Sequence, residues 1–321
     1  MTQHEHPFAT YIRILGKGQK GSRGLTRAEA YTAMGMLLDG KIEDTQLGAF
    51  LMLLRFKEET AEELAGFAQA VQERVQAPKI QVDLDWPSYA GKKRQLPWYL
   101  LAIKALAQSG VRIFIHGGGQ HTAGRLYTED LLETLSIPRC NSWDEVSQAL
   151  DKQNVAYMGL GQWMPRLQRC IDLRNTLGLR SPVHSLARLL NPLQAQCVLQ
   201  SIFHPGYQPI QQQANVLMGQ RSLVIKGDGG EIEVRPEATD TLMGATDGQA
   251  WDEEWPAQIA RQVKAPTLEP QRLLALWQGQ DSDLYGEQAI IATIALGLRG
   301  LGQEREQAFA QAQKIWQARQ L

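Results

Sequence analysis

The sequence predicts an α/β protein, with a larger domain built on a central, mostly parallel sheet behind a helical N-terminal domain. Two observations carry this. Up to Pro78 the apolar residues recur only at helical spacing, between strong helix caps. From Ile80 onward short apolar runs alternate with helical stretches, the pattern of strand–helix–strand units. The expected boundaries are 1–78 for the helical domain, joined by helices from about 163–190, and 79–321 for the α/β domain.

In the first domain, Thr26-Arg27-Ala28-Glu29 is a capping box that opens a helix to about Leu38, closed by Asp39-Gly40. Gln46 to Phe56 is a second helix after the cap Asp44. Thr60-Ala61-Glu62-Glu63 caps a third, ending near Val75. In the second domain, strands are expected at Ile80–Leu84, Val111–Ile115, Val155–Met158 and Cys197–Phe203. A hairpin is expected from Leu223–Lys226 and Glu231–Arg235 about Gly227-Asp228-Gly229-Gly230. Helices are expected at Pro97–Ala107, near Glu129–Leu135, after the box Ser142-Trp143-Asp144-Glu145, and at Pro165–Leu177, Pro182–Leu190 and Pro209–Met218. Four more follow, around Trp255–Val263, Gln271–Trp277, Leu284–Leu298 and Gln303–Gln320.

The 321 residues, 43% hydrophobic and 21% charged, suit a soluble globular chain, and the net charge of −1 by itself points to no polyanionic partner. The charge is segregated, however. Trp86 to Thr128 has no Asp or Glu but carries Lys92, Lys93, Arg94, Lys104, Arg112 and Arg125. His6 to Ala28 and Leu173 to Gly227 are also acid-free, the latter with Arg174, Arg180 and Arg188, while acids gather between Asp228 and Glu254. Such segregation can build a positive face on a neutral protein. Cys140, Cys170 and Cys197 are odd in number and far apart, so reduced thiols in a cytoplasmic protein are expected. No signal peptide and no membrane span are expected.

Trp86–Thr128 holds the main candidates for anion chemistry. Gly117, Gly118 and Gly119 follow the Val111–Ile115 strand. A glycine loop between strand and helix gathers backbone N–H groups on an anion. Lys92, Lys93 and Arg94 are the densest basic cluster, read as phosphate contacts against the alternative of a solvated turn. Lys17, Lys20 and Arg23 lie in a second basic, glycine-rich loop. Tyr89 and Trp98 are candidates to stack bases, with core or interface packing as the simpler reading. His116 and His121 flank the glycines without nearby Cys, Asp or Glu, so no metal site is expected.

The run Leu25 … Met34 … Asp39-Gly40 … Gln46-Leu47-Gly48-Ala49-Phe50-Leu51-Met52 … Leu54-Arg55-Phe56-Lys57-Glu58-Glu59-Thr60 … Gly66 resembles the helical domain of anthranilate phosphoribosyltransferases, as do Leu177-Gly178-Leu179-Arg180 … Asn191-Pro192 and Lys226-Gly227-Asp228-Gly229 further on. The resemblance covers nearly the whole chain. It implies a helical dimerisation domain against an α/β domain of the kind nucleoside phosphorylases also have. The catalytic motifs depart from it. Where the family has Gly-Thr-Gly-Gly-Asp, this chain has Trp86-Pro87-Ser88-Tyr89-Ala90-Gly91, whose bulk is expected to deny a phosphate the backbone cradle. Of Lys-His-Gly-Asn-Arg only His116 and Gly117 match. Of the Mg²⁺-holding Asp-Glu pair, Glu231-Ile232 keeps one carboxylate.

These departures resemble the YbiB-type branch of the family. That resemblance implies a cytoplasmic homodimer that binds DNA or RNA, single strands included, without sequence specificity, and without catalytic residues, metal or cofactor. The alternative is a phosphoribosyltransferase acting on anthranilate or another aromatic base. It would use His116, Gly117, Gly118 and Gly119 for phosphate, Arg180 for the base, and Mg²⁺. A protein-interaction role for the acidic stretch Asp228–Glu254 is a further alternative.

Overall fold

The computed structural model describes residues 5–18, 20–120, 122–263 and 267–320; His121 lies outside them. Four helices come first: α1 Ala9–Gly16, α2 Arg27–Leu38, α3 Asp44–Lys57 and α4 Ala61–Gln72. Thr26 and Thr60 each accept the N–H of the glutamate three residues on, and Glu29 and Glu63 each accept a cap N–H in return, as their spacing predicts. The cap of α3 is Glu43, paired with Gln46, one residue before the expected Asp44. Glu63 also accepts the Leu25 N–H, which ties the start of α2 to α4. Those two helices meet at Gly66, where a Cβ would lie 2.3 Å from the Arg27 carbonyl oxygen.

The α/β part follows as β1 Leu84–Ser88, α5 Tyr99–Gln108, β2 Ile113–Gly117, β3 Arg139–Cys140, α6 Trp143–Gln153 and β4 Val155–Gly159. Short helices α7 Leu160–Trp163, α8 Pro165–Asp172, α9 Arg174–Leu177 and α10 Val183–Leu186 lead to β5 Cys197–Ser201, α11 Gln208–Met218 and β6 Ser222–Ile225. Then come β7 Asp240–Thr246, β8 Gln249–Trp255, α12 Gln271–Trp277, α13 Leu284–Gly300 and α14 Arg305–Gln317. Among the described residues the strands form one sheet in the order β3-β4-β2-β1-β5-β6-β7-β8, parallel from β3 to β6 and antiparallel beyond. One buried cluster joins α1–α4 to side chains between Leu160 and Leu190; another packs α5, α13 and α14 on the sheet.

The chain leaves β1 for β2 and β4 on one side and later returns to β5 on the other. The crevice outside the carboxyl ends of β1 and β5 is therefore the switch point, where open α/β sheets seat their ligands.

Several elements differ from expectation. The first strand starts at Leu84, not Ile80, and includes Trp86, Pro87 and Ser88, which sequence reading assigns to a loop. Proline is tolerated because β5 pairs with β1 only at Leu84 and Asp85, so one side of the strand is already free of its ladder at Pro87. The helix near Glu129–Leu135 is a single 3₁₀ turn, Thr128–Asp130. Glu231–Arg235 is no strand. The hairpin is β7–β8, turning on Asp247-Gly248 with φ of 51° and 73°. Trp255–Val263 is not helical, because Trp255 ends that hairpin. The three cysteines are buried thiols; burial pushes Cys140 up to about 11 and Cys170 and Cys197 up to about 12. No helix among the described residues is long and apolar enough to cross a membrane.

Candidate functional site

At the carboxyl end of β1 the backbone does form an anion cradle, contrary to the expectation from its bulky residues. The N–H groups of Ala90 and Gly91 both point at one oxygen, 2.6 Å from each, and Gly91 takes the positive φ of 68° that this turn needs. The anion they hold is the protein's own. Both bonds end on Glu231 Oε1, and Ser88 Oγ donates to Oε2 at 2.9 Å. Glu231 is 1% exposed. The side chains at Trp86 and Tyr89 do not block the cradle, because they point into the core.

Lys92, the first candidate for phosphate contact, is corrected by its surroundings. It is fully buried and gives its charge to Glu233, 2.6 Å away, and to Asp228. Burial works against that charge, but Glu233 and Asp228 outweigh it and hold the ammonium above its usual range. Burial raises Glu233 to about 7 against the pull of Lys92. Glu233 Oε2 accepts the Tyr99 N–H, and Ile232 between the two glutamates is wholly buried. A Mg²⁺ ion bridging a pyrophosphate needs carboxylate oxygens open to it. Here Glu231 is held by backbone N–H groups and Glu233 by Lys92, so these residues do not fit the ion. No group of three or more His, Cys, Asp and Glu side chains suited to a metal occurs among the described residues.

His116 is likewise internal. Its Nδ1 lies 2.7 Å from Tyr89 Oη and its Nε2 3.1 Å from Asp85 Oδ2, all three residues being buried. Burial raises Asp85, and His116 pulls it back only in part. Gly117 closes β2, and a Cβ on it would meet the Ser88 carbonyl at 2.5 Å, so it is a packing glycine. Gly118 is buried against Tyr89, and only Gly119 is partly open. Since no α-helix follows among the described residues before α6, the expected helix-end phosphate site at His116–Gly119 is not formed. Tyr89 and Trp98, each 1% exposed, pack in the core and have no face for a base. Trp98 lies where Gly286 leaves room, a Cβ there falling 2.8 Å from its ring.

Other predicted cations do reach solvent. Lys17, Lys20, Lys93 and Arg94 are exposed. Arg23 is exposed too, but both its terminal nitrogens bind Glu29, at 2.6 and 2.7 Å. Arg180 is half-buried on a cavity of about 140 Å³ that Arg55, Arg188, Phe203, His204 and Tyr207 also line. Burial, then repulsion from Arg188, Arg125 and Arg174, brings Arg180 down to about 10. Arg125 donates to the carbonyls of Ala90, Gly91 and Gly229, which fastens the cradle loop from outside. Sequence reasoning does not single out Arg55, Arg125 or Arg188 as site residues. For Arg125 and Arg188 the signal is present, since two of the acid-free runs contain them; Arg55 lies in none.

Against known families, residues 9–75 match the model of the glycosyl transferase family's helical bundle domain, and residues 100–282 that of its a/b domain. The protein YbiB of Escherichia coli (strain K12) is 28% identical over 238 residues, 72% of this chain and 73% of its own. An anthranilate phosphoribosyltransferase of Symbiobacterium thermophilum is 27% identical over 231 residues, 70% of this chain and 67% of its own. Among solved structures, the anthranilate phosphoribosyltransferase of Thermus thermophilus superposes with a TM-score of 0.77 at 20% identity, over 97% of this chain and 94% of that one. A helical bundle joined to a mostly parallel sheet, with both domain models matched in order, means that this chain belongs to the glycosyl transferase family of the anthranilate phosphoribosyltransferases.

Proposed function

We propose that this chain is a homodimeric protein that binds DNA or RNA without sequence preference, on a phosphoribosyltransferase fold whose substrate site is closed. The observation that carries the reading is a contrast of charges. The cradle is filled by Glu231 and Lys92 is neutralised by Asp228 and Glu233, whereas Lys17, Lys20, Lys93 and Arg94 outside them are exposed. Beside the Lys17–Lys20 loop, Lys57 Nζ donates to Ser22 Oγ at 3.2 Å. Arg55, two residues before Lys57, shares a cavity with Arg180 and Arg188. Arg125 repels both of these and sits on the Gly91 carbonyl, beside the turn that exposes Lys93 and Arg94. Exposed lysines and arginines outside a blocked small-molecule site suit a phosphate backbone.

The two-fold partner is proposed to cover α1 and α3, which leave Ile12, Ile14, Met52 and Leu53 half-buried and Phe56 89% exposed. Sedimentation equilibrium should give twice the chain mass; a monomer would remove the dimer from this reading.

The binding test uses a fluorescent single-stranded oligonucleotide. Contact with about four phosphates predicts roughly a fifty-fold loss of affinity between about 50 and 200 mM salt. Lys93→Glu/Arg94→Glu should weaken binding at least about ten-fold at the lower salt. Lys92 is left unchanged, since its ion pairs are internal. No binding at low salt, or Mg²⁺-dependent consumption of phosphoribosyl pyrophosphate that Arg180→Ala abolishes, would replace this reading with the transferase one.

A further inference from the structure

Three of the arginines line one concavity. Arg55 from α3, Arg180 and Arg188 on either side of α10, and the segment Ile202–Tyr207 beyond β5 enclose about 140 Å³. That is room enough for a phosphate group. Among the described residues Arg180 donates only to Thr122 Oγ1, at 3.3 Å, and Arg188 only to the His184 carbonyl, so each keeps donors for a ligand. No salt bridge engages Arg55, Arg180 or Arg188 among the described residues.

Three carboxylates come near, and one of them, the exposed Glu58, acts on Tyr207. Glu231 offsets Arg188 in part but is committed to the cradle, and Glu59, near Arg55 and Tyr207, is raised by burial towards its neutral form. With Glu231 committed and Glu59 raised, three arginines face one exposed carboxylate, Glu58. Arg180 is lowered first by its own burial and then by repulsion from Arg188, Arg125 and Arg174. At the rim, Phe203 is 56% exposed, its ring edge-on to His204 at 5.0 Å. On the inner wall, Gln211 Oε1 is buried without a partner among the described residues and gives the cavity one acceptor.

We propose that this cavity is a site for a phosphate monoester, with Arg55, Arg180 and Arg188 around the phosphate and Phe203 stacking the base next to it. A monoester carries about −1.5 to −2 charges at neutral pH, against −1 for an internal diester, and so matches several arginines better. A terminal monoester also enters a concave site end-on, whereas an internal diester needs room for chain on both sides. The phosphate can come from the end of a nucleic-acid strand or from a small free phosphate. Assignment to a strand end rests on the nucleic-acid reading above; the cavity's affinity for phosphate does not.

The test compares one oligonucleotide with a 5′-phosphate, a 3′-phosphate or hydroxyl ends, together with inorganic phosphate in a thermal-shift assay against sulfate-free buffer at matched ionic strength. A phosphorylated end should bind at least about ten-fold tighter than the hydroxyl form. Arg188→Met, or the exposed Arg55→Ala should Arg188→Met not fold, brings that ratio to one. Phe203→Ala should weaken the phosphorylated strand roughly ten-fold. Equal binding of all ends, with no shift from inorganic phosphate, overturns the proposal and leaves nonspecific binding standing. No oligonucleotide binding, with a phosphate shift that Arg188→Met removes, upholds the cavity as a small-phosphate site and sinks the nucleic-acid reading instead.

Discussion

Lys92→Met should lower the free energy of unfolding by about 3–5 kcal/mol, read from urea denaturation near neutral pH. The aliphatic replacement fills the same space, so the loss reports charge and not a cavity. Lys92 pairs its backbone with Leu126 and sends a fully buried ammonium between Asp228 and Glu233. Removing one member of a buried ion pair forces its partners either to stay charged without solvent or to take up a proton, and both are expensive. The effect should depend on pH with a definite sign. Burial already lifts the folded Glu233 to about 7, above the ordinary 4.5, so it favours the folded state below pH 4.5 and this contribution is lost as pH rises to about 7. Without Lys92 the main force lowering Glu233 is gone and its folded value rises further. The gap between variant and wild type should therefore widen from pH 5 to pH 8. A Lys92→Met protein as stable as wild type at pH 8 would mean that the ammonium is solvated and available to a ligand after all.

That buried triad marks where the sequence stops being legible. The helical caps were readable because Thr26–Glu29 and Thr60–Glu63 act across three residues, and the alternation of short apolar runs with helices was enough for a mostly parallel sheet. Side-chain fate over long separations was not. Lys92 finds Glu233 141 residues away and Ala90 finds Glu231 at the same separation, so a basic cluster that looks like a surface turn contains one internal member and two exposed ones. The same holds for His116 beside Asp85, 31 residues back, which made a buried hydrogen-bonded histidine look like part of a phosphate loop. Asp247-Gly248 is a different kind of miss. The turn signal was in the sequence, but the acids of β8 hid a strand that is half exposed and can carry charge on its open face.

Glu231→Ala should cost about 3–5 kcal/mol, because two buried N–H groups lose a charged acceptor and each such bond is worth about 1.5–3 kcal/mol. Ser88 is less affected, since its hydroxyl also meets Thr128 at 2.8 Å and Tyr99 at 3.3 Å. The diagnostic part is rescue. The vacated seat is a carboxylate-shaped space lined by the Ala90 and Gly91 N–H groups, with Arg188 left more positive once Glu231 is gone. Acetate in place of chloride, at constant ionic strength, should therefore restore stability to the variant by more than it changes the wild type. A free ligand at 100 times its Kd recovers about 2.7 kcal/mol. Glu231→Gln keeps one acceptor oxygen and should fall between the two. A variant that is as stable as wild type and indifferent to acetate would show that the cradle does not need an anion. The site would then be open to a pyrophosphate, and the case for a closed transferase site would fall with it. A large loss rescued by acetate would mean that the loop after β1 still gathers an anion, and that the chain's own glutamate excludes the substrate such a loop could hold.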